Sequence, residues 1–233
     1  MPKSYKACLV TKFSRAEFAN KPLFLNAQQN LDKVDRPPST SIWRSRDKIT
    51  FKDFESYEIE HEREEEVFCR IGSTSHTKII RKGFIKAYYS ENLGLLFLCG
   101  KKADILDFCK KTKDFPFITI QTLSIDMKKL LAKLAAVNLV WFRFPKGEIH
   151  ASALMGSHVE STPEFQRYEQ AGDISTLSFF FQVADNSLDN VMVTKDGAIV
   201  LYRAYQEISD EVEIVLSVKQ ELLDDICTSV QIR

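Results

Sequence analysis

No stretch of this 233-residue chain approaches the roughly 20 apolar residues needed to cross a bilayer; the longest apolar run, Leu93 to Cys99, is strand-sized. The opening residues, Met1 to Lys6, lack the apolar centre of a signal peptide. Cysteine is sparse and scattered. Cys8, Cys69, Cys99, Cys109 and Cys227 are odd in number and form no C-x-x-C, which argues against a disulfide framework and for reduced thiols in the cytoplasm.

Signatures of catalysis are missing as well. There is no G-x-S-x-G and no H-E-x-x-H. Gly94 to Gly100 has one residue too many for a P-loop, and Lys102 stands where Ser or Thr is required. No Asp followed by Glu-x-Lys marks a restriction-type nuclease. No cofactor is expected, and the chain reads as a binding module rather than an enzyme.

Net charge is also absent, since 32 Lys and Arg balance 32 Asp and Glu. The balance conceals a sorting into four blocks. Residues 1–50 carry 10 basic against 4 acidic side chains, and 51–66 carry 2 against 8. Residues 67–133 carry 13 against 5, and 134–233 carry 7 against 15. Such blocks either steer a polyanion to one region or face one another within a fold or an oligomer. The rest of the composition, 44% hydrophobic and 27% charged, is globular. Its 17 Phe point to a core built on rings.

The periodicities predict an α+β protein: a mostly antiparallel mixed sheet with helices packed on one face. A less regular N-terminal region, 1–66, precedes an α+β core, 67–233, with a basic half (67–133) and an acidic half (134–233). Lys6–Phe13 reads as a strand and Ser14–Leu31 as a weak helix. The prolines of Asp35–Asp47 mark an exposed loop. Residues 51–60 suit strand or helix. Strands at 79–89 and 93–99, a helix at 103–111 and a strand at 116–122 follow. A long amphipathic helix is expected at 125–137, capped by Ser124. The second half gives strands at 139–144 and 148–155 and a helix begun by Thr162-Pro163 and ended by Gly172. A strand at 174–183, a hairpin through Asp196-Gly197 and a helix at 209–227 complete the chain. Strand–turn–strand–helix–strand thus occurs near 79–122 and near 139–183, either as two pseudo-repeated β-β-α-β units or as common supersecondary grammar. Phe97, Leu131, Leu134, Trp141, Phe179, Phe181 and Leu201 are the expected core.

The candidate site lies in the basic half. Arg81, Lys82 and Lys86 on one strand, Gly100, Lys101, Lys102 and Lys110 around the first helix, and Lys129 and Lys133 on the next could contact the phosphates of a nucleic acid or another polyanion. Gly100-Lys101-Lys102 and Gly156-Ser157-His158 each lead into a predicted helix start, where unpaired N–H groups favour an anion. The alternative is a scaffold subunit of a larger or self-associating complex, its acidic C-terminal half meeting a protein partner or a second copy. A weaker alternative is a metal-dependent hydrolase using Glu148 and His150, with His61, Glu62, Glu64, Glu65 and Glu66 as a second cluster.

Overall fold

A short continuous apolar run, Ala7 to Val10, draws this segment into β1 (Lys3–Phe13), in which Tyr5 to Cys8 are buried on both faces. The computed structural model describes residues 2–15, 23–25, 38–46, 49, 51–71, 74–145, 148–183 and 187–230. Two compact units divide it: Leu9–Gln121 with Ile232–Arg233, and Met1–Cys8 with Thr122–Gln231. Every strand pair with a given register is antiparallel. No helix among the described residues is long and apolar enough to cross a membrane.

The 9–121 unit holds β2 (Leu23–Leu25), β3 (Thr40–Arg44), β4 (Glu55–Ile71), β5 (Thr74–Ser90) and β6 (Leu95–Gly100) as sequential neighbours. The acidic run after residue 51 is therefore strand. One face of this sheet buries Ile42, Ile59 and Ile85. Helix α1 (Lys102–Lys111) covers it, setting Phe108 5.7 Å from the His61 ring. Gly83 permits the approach, because a Cβ there would lie 2.4 Å from the Asp104 carboxyl group. β7 (Ile118–Ile125) follows.

In the 122–231 unit come α2 (Met127–Lys133), β8 (Leu139–Arg143), β9 (Ala151–Met155), α3 (Pro163–Ala171), β10 (Asp173–Gln182), β11 (Leu188–Thr194), β12 (Ala198–Leu201), α4 (Ile208–Val218) and β13 (Cys227–Val230). The strand order is β12-β11-β10-β8-β9. Val140, Phe142, Leu177, Phe179, Val191, Val193 and Ile199 form the inner face and are buried. Phe142 meets Phe165 and Tyr168 of α3 edge-on, at 5.5 and 5.6 Å. The Asp196-Gly197 turn forms as expected, with Gly197 at φ +78°.

Several expectations are corrected. Within the loop expected at 35–47, residues 40–44 form β3, whose Thr40, Ser41 and Ile42 are buried against β4. Residues 35–37 and 47 lie outside the described residues, as does most of the helix expected over 14–31, whose 23–25 are strand. Helix α2 is half the expected length. Asp126, not Ser124, caps it, accepting from Lys128 N and Lys129 N. Leu134 is already extended, and beyond it Val137 N donates to Glu160 and Val137 O accepts from Val159 N. Those bonds hold the 134–138 backbone out of the helix. Leu131 and Leu134 are accordingly only half-buried. Gly172 ends α3 with extended backbone, φ −151°; its role is steric, since a Cβ would sit 2.6 Å from the Phe144 ring. The last helix stops at Val218, passes through a π-turn at Lys219–Leu223 and gives way to β13, which pairs with β7. The two β-β-α-β segments differ in pairing: β10 returns to β8, whereas β7 pairs with β1 and β13.

Candidate functional site

The basic residues singled out from the sequence are mostly exposed, and many of their charges are answered locally. Arg81 and Lys82 are neighbours on β5 and so face opposite sides. Arg81 Nε lies 2.6 Å from Glu65, Lys82 Nζ 2.7 Å from Glu60 and Lys78 Nζ 2.5 Å from Glu64. All three carboxylates belong to β4. The second charge block thus faces part of the third across one ribbon. Lys86 is exposed on β5. Gly100 ends β6 where a Cβ would stand 3.0 Å from Phe84 O. Lys101 is the N-cap of α1, and Lys102 and Lys110 stand exposed in its first and last turns. Lys129 lies 3.9 Å from Asp126, and Lys133 bonds Asp225 and, at 3.2 Å, Leu222 O. Lys129 and Lys133 belong to the 122–231 unit, the others to the 9–121 unit.

The anion site expected at the α1 N-terminus already holds a carboxylate. Asp104 is buried in the first turn, where the helix dipole favours it, and accepts from Arg63 Nε at 2.8 Å. Gly156-Ser157-His158 leads only into a 3-10 turn, Val159–Ser161; α3 starts later, capped by Thr162.

The metal candidates do not converge. Glu148 and His150 are both exposed and precede β9 instead of lying on it. His61 and Glu62 point to opposite sides of β4. No group of three or more His, Cys, Asp or Glu among the described residues could hold a metal ion. His61 belongs to a different arrangement. Its Nε2 donates to Asp107 Oδ2 at 2.9 Å and its Nδ1 is 2.7 Å from Thr40 Oγ1. Burial keeps its pKa below the ordinary value, against the opposing pull of Asp107. The neutral ring therefore accepts the Thr40 proton. A hydroxyl, an imidazole and a carboxylate in line resemble a nucleophile relay, but Thr40 and His61 are both buried. The chain of bonds pins α1 to β3 and β4.

The exposed feature that the sequence reading missed is a sheet face. Strict alternation along β8 sends Val140 and Phe142 inward, so Trp141, expected in the core, points out and is 44% exposed. Trp141 stands beside Thr176 of β10 and Ala153 of β9. Phe180 shares this face between the buried Phe179 and Phe181, and Met155, Leu188 and Tyr202 extend it, all exposed. A depression of about 520 Å³ lies in its middle, lined by Trp141, Thr176, Met192 and Tyr202 among others. Thr176, Ser178 and Asn190 are its polar positions, and Arg143, exposed at the end of β8, also lines the depression. Helices α2, α3 and α4 pack on the other side. The parity of Leu139-Val140-Trp141-Phe142-Arg143 was the available signal; the inward parity was not known.

Comparison with known proteins finds no matching family, and no curated protein matches the chain.

Proposed function

We propose that this chain is a protein-interaction subunit that self-associates through the outer face of β8 to β12. One observation carries the reading: five large apolar side chains, Trp141, Met155, Phe180, Leu188 and Tyr202, stand exposed on one sheet face. Monomeric proteins rarely leave so much contiguous apolar surface in water, because covering it is favourable by about 25 cal/mol per Å². A second copy fits as the occupant because the face is mostly uncharged, with Arg143 at the end of β8. Two identical faces related by a two-fold axis then meet with little like-charge repulsion, as sheet stacks on sheet. Light scattering across a concentration series tests this. The expected result is a mass that rises toward the dimer and returns to the monomer in Phe180→Asp or Trp141→Asp. A wild-type chain that stays monomeric up to its solubility limit overturns the reading.

A second reading, contact with a nucleic acid or another polyanion, is supported by Lys101, Lys110 and Lys113. They are exposed around α1 and form no ion pair among the described residues. A mobility shift with DNA or RNA at low salt, lost steeply as salt rises and weakened by Lys101→Glu with Lys110→Glu, would favour it over self-association.

A further inference from the structure

We infer that the cleft between the end of β10 and helix α4 binds an organic cation, an alkylammonium or guanidinium group. The cleft encloses about 640 Å³. One wall is a single stripe of α4, Asp210, Glu213, Ile214 and Ser217 at helical spacing, continued by Glu221 on the π-turn. The facing wall is Phe181, Arg203 and Tyr205.

The charges of these walls do not balance. Arg203 is already engaged: its Nη1 bonds Asp189 Oδ1 at 3.3 Å and Ser187 Oγ at 3.1 Å. Asp210, Glu213 and Glu221 have no ion pair among the described residues, whereas the acids of β4 sit opposite bases. Like charges crowded on one helix face repel, and a bound cation relieves that.

Two further atoms point the same way. Asp189 has a side chain only 5% exposed, yet its Oδ2 has no hydrogen-bond partner among the described residues. It lies opposite Phe181 in the β10–β11 register and therefore on the cleft side of the sheet. The Tyr205 hydroxyl, in the cleft wall, is likewise buried without a partner among the described residues. Buried polar oxygens are normally satisfied, and both of these can accept from an N–H donor. Phe181 and Ile214 give apolar contact to a methylene stem, while the Tyr205 ring already carries the Arg203 guanidinium 5.4 Å from its centroid, a second engagement of that arginine. An anion would meet three unpaired carboxylates and one committed arginine.

A free amine and the side chain of a basic protein segment share this chemistry, and calorimetric titration separates them. The full chain is titrated with agmatine and, independently, with an arginine-containing hexapeptide. Binding of both assigns a free cation, and binding of the peptide alone assigns a partner chain. Glu213→Gln with Glu221→Gln should weaken binding by about tenfold or more, and added salt should weaken it further. Glu164→Gln, on α3, should leave it unchanged. Ser217→Lys sets an ammonium among the carboxylates; it should raise the melting temperature and abolish binding. The inference is overturned if neither probe binds the wild-type chain, or if the folded double-Gln or Ser217→Lys protein binds as tightly as wild type. The Phe180→Asp monomer, altered on the opposite sheet face, should still bind, so this result is independent of self-association.

Discussion

The β4–β5 ribbon and the β8–β12 sheet solve the problem of an exposed strand surface in opposite ways. On the ribbon, Ile80 and Phe84 are exposed, but they alternate with Lys78, Lys82 and Lys86 on the same side of β5. Glu60 and Glu64 of the facing strand close ion pairs with two of those lysines. Each apolar side chain is thereby fenced by solvated charge, a device that keeps strands from pairing with other chains. The outer face of β8 to β12 has Trp141, Phe180 and Met155 without such a fence. Charge in this protein is concentrated where contact is to be prevented and withheld where the proposed contact occurs.

Substitutions in the triple Phe of β10 probe the contrast most strongly. Phe179→Ala should cost ~3–5 kcal/mol in urea denaturation, because a buried ring leaves a cavity. Phe180→Ala, one residue away on the outer face, should change monomer stability by no more than about 0.5 kcal/mol and act instead on the association measured by light scattering. Equal losses at both positions would dissolve the distinction between inner and outer face. Next in size is Gly83→Ala at the root of the ribbon. The new methyl group displaces the Asp104 carboxyl from Arg63, and losing that hydrogen bond should cost ~1–3 kcal/mol by the same assay.

A smaller effect comes from pH. The His61 pKa is lowered in the folded state, so the unfolded chain takes up the proton more readily. The stability this provides is complete above the unfolded value, near 6.5, and is lost as pH falls below it. Asp107 acts lower down. Burial alone would raise its pKa, but hydrogen bonds from Lys111 and His61 hold it below the ordinary value. Its contribution is present above about pH 4 and disappears as pH falls further. Thermal melts should therefore show one decline beginning near pH 6.5, flattened in His61→Gln, and another in acid, flattened in Asp107→Asn. The smallest expected effect is on the fence itself. Lys82→Glu should cost about 0.2–1 kcal/mol, and the further change Glu60→Lys should restore most of it, as expected for an exposed pair.

Features written in adjacent residues were legible from sequence. The β5–β6 hairpin, α1, the Thr162-Pro163 helix start and the Asp196-Gly197 turn all rest on local turn and cap chemistry. What depended on distant partners was not. The charge blocks gave no indication that Glu60, Glu64 and Glu65 would lie across from Lys82, Lys78 and Arg81. Helical periodicity ran on to residue 137, but the turn at Val159–Glu160 takes the backbone of Val137. Trp141 looked like core because it is large and apolar, and only the packing of Phe142 against α3 fixes which parity faces inward. The proposed cleft joins residues 181–183 to an acidic helix stripe, a juxtaposition that no spacing in the chain encodes.

Strand β1 sets an order of assembly. Its Lys3 to Lys6 pair with Leu201 to Ala198 of β12, so this ladder waits for most of the intervening chain, whereas β6 and β7, which also adjoin β1, are made earlier. The 9–121 unit, almost continuous in sequence, is free to form during that wait. Closure across so long a loop is slow, and strand edges exposed in the interval are prone to aggregation. Chains truncated before β12 should accumulate with Tyr5, Ala7 and Cys8, buried in the finished protein, still open to solvent, which makes the reactivity of the Cys8 thiol a direct clock for completion of the fold.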